Sequence, residues 1–215
     1  MNAWAWAVVT VSVATALFVA KFLVPHLRRP HVDEGDTPPD FTRLGAVGSL
    51  VAVAALDLAG SSVFFVEDPT KWALWLPYVA VGAPLIHVDA RTTYLPNQMM
   101  FPFLALMGVG LVVTAFFAFH AAVAALIGAV AGYMVFWLIW RSGAGLGFGD
   151  VRLAAAVGTV AGTFGLTGWV WALLLSTVIG ALIAVGMALA RKRVFAYGPA
   201  LWSGPLIAAW VPFAG

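Results

Sequence analysis

Nine acidic residues occur in this chain of 215 residues, and three of them stand in or beside long apolar runs: Asp57, Asp89 and Asp150. An acid at membrane depth costs a few kcal/mol even on the lenient insertion scale, so each is a functional candidate by default. Asp89 closes an apolar segment and leads into Ala90-Arg91-Thr92-Thr93-Tyr94-Leu95-Pro96-Asn97. Asp150 follows the glycine-rich stretch Gly145-Leu146-Gly147-Phe148-Gly149 and opens the next apolar segment. Two carboxylates a few Å apart cannot both ionise easily, so they share a proton. The charged member then activates water as a general base, and the protonated member polarises a carbonyl as a general acid. This is aspartic-protease chemistry, and it needs no metal, cofactor or thiol. The glycines before Asp150, Gly147 and Gly149 among them, carry no side chain, so a substrate backbone could approach closely.

Plainer readings stay open at this level. Asp150 precedes a helix-forming run, and aspartate is among the best N-caps. Asp89 has Arg91 two residues away as an interface partner. Asp57 lies mid-helix in Ala54-Ala55-Leu56-Asp57-Leu58-Ala59 and is expected to be protonated and hydrogen-bonded to another helix. His87 is two residues from Asp89, a spacing that faces away on a helix, so packing accounts for it. Asp33, Glu34, Asp36 and Asp40 read as a solvated loop, with Arg28, Arg29 and Arg43 nearly balancing them.

The elements that position these acids follow from composition. The chain is 63% hydrophobic and 9% charged, against about 25% charged in average soluble domains. Mean hydropathy is +0.99. An ordinary soluble globule and a disordered chain are excluded. A net charge of +2 leaves no nucleic-acid footprint. The absence of cysteine excludes disulfides, thiolate metal sites and cysteine nucleophiles. An all-α, polytopic membrane helix bundle remains.

A hydrocarbon core of about 30 Å needs about 20 apolar residues as helix. Apolar runs near 3–24, 44–66, 72–88, 98–119, 120–140, 151–165, 169–190 and 198–213 predict about eight transmembrane helices. Residues 98–140 hold no charged side chain and are too long for one pass, so a turn is expected near His120. Gly165-Leu166-Thr167-Gly168 predicts another turn. The chain divides into two N-terminal helices with a short loop (1–71) and a six-helix core (72–215).

Basic residues favour cytoplasmic loops. With the N-terminus outside, ten of the eleven Lys and Arg residues fall inside, Arg191-Lys192-Arg193 among them, and only Lys71 falls outside. Asp89 and Asp150 then share the cytoplasmic side. The ten tryptophans fall near proposed helix ends, as an interfacial belt would. The first segment lacks a basic n-region and is read as a retained helix, not a signal peptide. Gly128-Ala-Val-Ala-Gly132 and Gly158-Thr-Val-Ala-Gly162 are small-xxx-small patterns, read as intramolecular packing before a dimer face. Nothing fixes an oligomeric state.

Gly147-Phe148-Gly149-Asp150-Val151-Arg152-Leu153 resembles the GxGDxxL signature of type IV prepilin peptidases. Asp89 with Leu95-Pro96-Asn97 resembles the other half of that family's site. Phe195-Ala196-Tyr197-Gly198-Pro199 resembles its late Phe-Gly-Pro step. The resemblance implies a membrane aspartic endopeptidase with Asp89 and Asp150 as catalytic pair and with Gly147 and Gly149 shaping the turn. It implies a prepilin-like membrane protein as substrate, cut after its basic leader at the cytoplasmic face. Fuller members insert a cysteine-bearing region after the first helix and also methylate the new N-terminus. Residues 25–43 stand in that place without cysteine, and no Gly-Ser-Phe-type motif is evident near the first helix end, so methyltransferase activity is expected to be absent. Two other classes compete. A presenilin-like GxGD protease would set its first acid inside a helix. A proton-coupled transporter would use Asp57, Asp89 and Asp150 as relay groups.

Overall fold

A computed structural model describes residues 3–28, 38–143, 145–191 and 196–211. Asp33, Glu34, Asp36, Arg29, Lys192, Arg193 and Phe195 lie outside the described residues. The described residues form helices joined by turns and short connections, without a strand. Helix α1 (Ala3–Phe18) runs on through a π turn (Val19–Leu23) and a 3-10 turn (Val24–His26). Then come α2 (Val47–Ser61), α3 (Trp72–Ala80), α4 (Gly82–Thr92), α5 (Asn97–Phe117) and α6 (Phe119–Arg141). The last three are α7 (Phe148–Gly162), α8 (Gly165–Leu189) and α9 (Gly198–Ala208).

Among the described residues, six helical stretches are long and apolar enough to cross a membrane, with α3 and α4 forming one of them. Helices α7 and α9, with 15 and 11 residues, are shorter. The outer surface carries large exposed apolar side chains such as Phe116, Ile127 and Leu182. That much exposed apolar surface needs lipid around it. The chain is a multi-pass membrane protein.

The third expected helix is broken in two, at Val81. Pro84 has no N–H to give the carbonyl of Ala80, and Pro77 has none for Ala73. A Cβ on Gly82 would lie 2.5 Å from Trp202 Nε1, so the indole of α9 fits against bare backbone there. Tertiary hydrogen bonds brace the break. Trp202 Nε1 donates to the Tyr78 carbonyl at 3.0 Å, and Tyr78 Oη donates to the Trp202 carbonyl at 2.7 Å. Pro205 leaves the Leu201 carbonyl without its helical donor, and Ser176 Oγ of α8 supplies one at 3.0 Å. These bonds seat α9 against α3 and α8.

Not all tryptophans form a belt. Trp75 and Trp202 are core residues, 0% and 3% exposed, whereas Trp4 and Trp210 face outward. The expected turn near His120 lies at Ala118, where φ −147° and ψ 68° interrupt the helix. The expected turn at Gly165–Gly168 lies earlier, at Thr163 and Phe164. Gly165 takes φ +73° as α8 begins, and Gly168 is already buried inside it. The two small-residue patterns pack on each other within the chain. Gly128 and Gly132 of α6 meet the backbone of Ala154, Gly158 and Gly162 of α7. That contact lets α7 sit almost wholly buried from Val151 to Gly162.

Candidate active site

Asp89 lies in the last two turns of α4 and is 4% exposed. The helix ends just beyond it because Thr93 takes a left-handed conformation, φ 54° and ψ 28°. The Thr93 N–H donates to the Asp89 carbonyl at 2.6 Å, and Thr92 Oγ1 donates to the Val88 carbonyl at 2.7 Å. Two of the last carbonyls are thereby satisfied, and the chain turns into Tyr94-Leu95-Pro96 and on into α5.

Asp150 sits in the first turn of α7 but is not its cap. Gly147 is the capping residue, and Asp150 is the third residue of the helix. Its N–H donates to the Gly147 carbonyl at 3.1 Å, and its carboxylate turns back toward the Gly147 backbone. Asp150 lies outside the six membrane-length spans. Burial pushes its carboxyl up to about 6, and a hydrogen bond from the Gly147 backbone works against that rise.

The turn is shaped by glycines other than the two expected. Gly143 and Gly145 hold the left-handed backbone, φ +78° and +76°. Gly147 has φ −73° and lines the cavity. Gly149 permits close packing, since a Cβ there would lie 2.8 Å from Leu95 Cβ.

Asp89 and Asp150 line one cavity of about 340 Å³, together with Thr93, Asn97, Gly147 and Arg152 among others. Arg152 donates to Asn97 Oδ1 and ties α7 to the start of α5. Its guanidinium lies between Phe148 and Phe101, 4.8 and 5.0 Å from their ring centres. The rim of the cavity is therefore braced by two helices.

Asp89 does not lean on Arg91. Its Oδ2 accepts the backbone N–H of Gly198, the first residue of α9, at 3.0 Å. Sequence reading missed this contact, although Tyr197-Gly198-Pro199 had drawn notice as a motif. Tyr197 lies beside the same site. Burial raises its phenol, a hydrogen bond with Thr177 opposes this, and the charge of Asp150 adds to the rise.

Asp57 is apart from the cavity. It is fully buried and accepts from Ser12 Oγ of α1 at 2.9 Å and from Ser61 Oγ of its own helix at 3.2 Å. The expected bond to another helix is present. Among the described residues no three His, Cys, Asp or Glu side chains gather as a metal site.

The model of the type IV leader peptidase family matches residues 73–185, a stretch that holds both cavity aspartates and ends before Gly198. A prepilin leader peptidase/N-methyltransferase of Neisseria gonorrhoeae is 35% identical over 135 residues, 60% of this chain and 44% of that protein. One of Aeromonas hydrophila is 34% identical over 152 residues, 66% of this chain and 48% of that protein. One of Burkholderia pseudomallei (strain 1026b) is 34% identical over 175 residues, 78% of this chain and 54% of that protein. The chain spans about half the length of these curated relatives. No solved structure matches it.

Proposed function

The chain belongs to the type IV leader peptidase family, and on that premise we propose that it is an aspartic endopeptidase that removes the basic leader of prepilin-like membrane proteins. One observation carries the reading: Asp89 and Asp150, 61 positions apart in sequence, line a single cavity at one rim of the bundle. The charged member of the pair takes a proton from water as the hydroxide adds to the scissile carbonyl carbon. The protonated member gives its proton to the carbonyl oxygen. The tetrahedral diol then collapses, a proton passes to the leaving nitrogen, and the C–N bond breaks. Gly147 at the cavity edge leaves room for the substrate backbone.

The charge bias supports a reading in which this rim faces the cytoplasm and the N-terminus lies outside, so that a basic leader stays on the side of the site. The chain acts as a peptidase alone, because residues 25–43 hold no cysteine. Transfer of label from S-adenosylmethionine to a cut pilin by the purified protein would overturn that part.

The test is co-expression with a candidate prepilin and gel analysis of the leader. Asp89→Asn and Asp150→Asn each abolish the shift while the protein still accumulates in the membrane, and Asp57→Asn retains it. Continued cleavage by Asp150→Asn refutes the dyad. The transporter reading gains nothing from Asp57, whose two oxygens are held by Ser12 and Ser61.

A further inference from the structure

Asp89 is reached from a part of the chain that the family match does not cover. The match ends at residue 185, and the donor to Asp89 Oδ2 is the backbone N–H of Gly198. That N–H is free to act because the first N–H groups of a helix have no partner within it. The positive end of the helix dipole adds to its pull on a carboxylate. Gly198 is also shaped to its neighbour. A Cβ there would lie 2.5 Å from Asp89 Oδ2, 3.2 Å from Asp89 Cγ and 3.3 Å from Ile86 Cδ1. Only glycine lets the backbone come this close to the acid.

The approach to α9 is clamped from three sides. The Tyr197 ring packs where a Cβ on Gly180 of α8 would lie 2.6 Å from it. It also stacks on Phe136 of α6, with ring centres 6.2 Å apart and an interplanar angle of 28°. Beyond Gly198, the reciprocal bonds between Trp202 and Tyr78 hold α9 to α3. A donor held this rigidly fixes the side chain it touches.

Resting on the peptidase reading above, we propose that the Tyr197–Gly198 turn is a positioning element of the active site, in which the Gly198 N–H fixes Asp89 Oδ2 and leaves Oδ1 to meet water. The two acids are then unlike. Asp89 is anchored by a tertiary contact spanning 109 residues. Asp150 is held from the backbone of its own turn, by a hydrogen bond at Gly147. Gly198 is thereby the third point of the site, although it touches no substrate.

Two measurements test this. In purified Gly198→Ala, kcat for leader removal falls about tenfold or more while KM for the precursor stays within about twofold, the pattern of a lost contact to a reacting charged group. A wild-type kcat in that variant overturns the proposal. The second measurement does not depend on the variant folding or on cleavage. In protein labelled with 15N-glycine, the Gly198 amide proton resonates downfield in the wild type, moves upfield in Asp89→Ala and stays in place in Asp150→Ala. An amide indifferent to Asp89→Ala overturns the proposal even where cleavage holds. Failure of the peptidase reading, seen as cleavage by both Asp→Asn variants, leaves the amide result standing by itself.

Discussion

Gly149→Ala is the substitution whose effect on the site follows most directly from distances. The new Cβ would lie 2.8 Å from Leu95 Cβ and 3.1 Å from Leu95 Cδ1. Unstrained carbon contacts sit at about 3.5 to 4.0 Å, so about 0.7 Å or more of movement is needed. Leu95 has little freedom to give way, because it is buried, followed by Pro96 and nearest at its own Cβ. The first turn of α7 moves instead, and Asp150 is the next residue. Misplacing a reacting group by about 1 Å costs about 100-fold in rate. The expected loss is therefore about 30- to 100-fold in kcat, or about 2 to 3 kcal/mol of barrier. Overpacking costs a further 1 to 3 kcal/mol of stability, roughly, so enzyme level must be measured alongside rate. The assay is the initial rate of leader removal in membranes, divided by the amount of folded enzyme. Gly108→Ala is the control, since a Cβ there meets nothing within 4 Å, and it leaves the rate unchanged. Adding Leu95→Ala to Gly149→Ala relieves the Cδ1 contact but not the Cβ contact, so recovery is partial. A Gly149→Ala enzyme that cuts at the wild-type rate refutes the reasoning.

Asp57→Ala strands the hydroxyls of Ser12 and Ser61 and lowers thermal stability in detergent by about 1 to 3 kcal/mol, while cleavage per folded molecule is unchanged. Asp57→Asn is milder, because a carboxamide oxygen still accepts. Trp202→Phe deprives the Tyr78 carbonyl of its donor and lowers the melting temperature, with a cost of about 1 to 3 kcal/mol. The Asp150 carboxyl, raised by burial from 3.8 to about 6, keeps its proton in the fold at pH values where the unfolded chain has released it. Its contribution to stability therefore falls as pH rises from about 4 to about 6. Melting curves at pH 4.5 and pH 7 should show the wild type declining more than Asp150→Asn, by about 2 kcal/mol.

The helices were legible because lipid demands long apolar runs, and no other structure in this composition supplies them. That Asp89 and Asp150 line one cavity was legible for a related reason. Both stand at helix ends, and alternating passes put those ends at one level. The break at Val81 was less so, although Pro77 and Pro84 are plain to see. Whether a proline bends a helix or divides it depends on what braces the break, and here the brace is Trp202, 120 positions beyond Gly82. The same distance hid the true place of Trp75 and Trp202. Indole at a helix end suits an interface, but only packing decides whether it faces lipid or core.

Asp57 and Asp89 show the limit most sharply. Each is a buried acid in an apolar helix, and burial alone does not separate structure from chemistry. The difference lies in how many of its oxygens the fold occupies. Asp57 has both oxygens bonded, by Ser12 from one helix and Ser61 from its own, so it is a cross-link between α1 and α2. Asp89 has one oxygen bonded by Gly198 and stands on a cavity that also receives Asp150. An acid bonded at both oxygens inside the core stabilises a fold, whereas one with an oxygen facing a cavity has something left to give a substrate. The serines beside Asp57 belong to α1 and α2, and the glycine beside Asp89 belongs to α9. It is this tertiary bookkeeping of lone pairs, more than the acids' own neighbourhoods in sequence, that marks one as a cross-link and leaves the other as the candidate for catalysis.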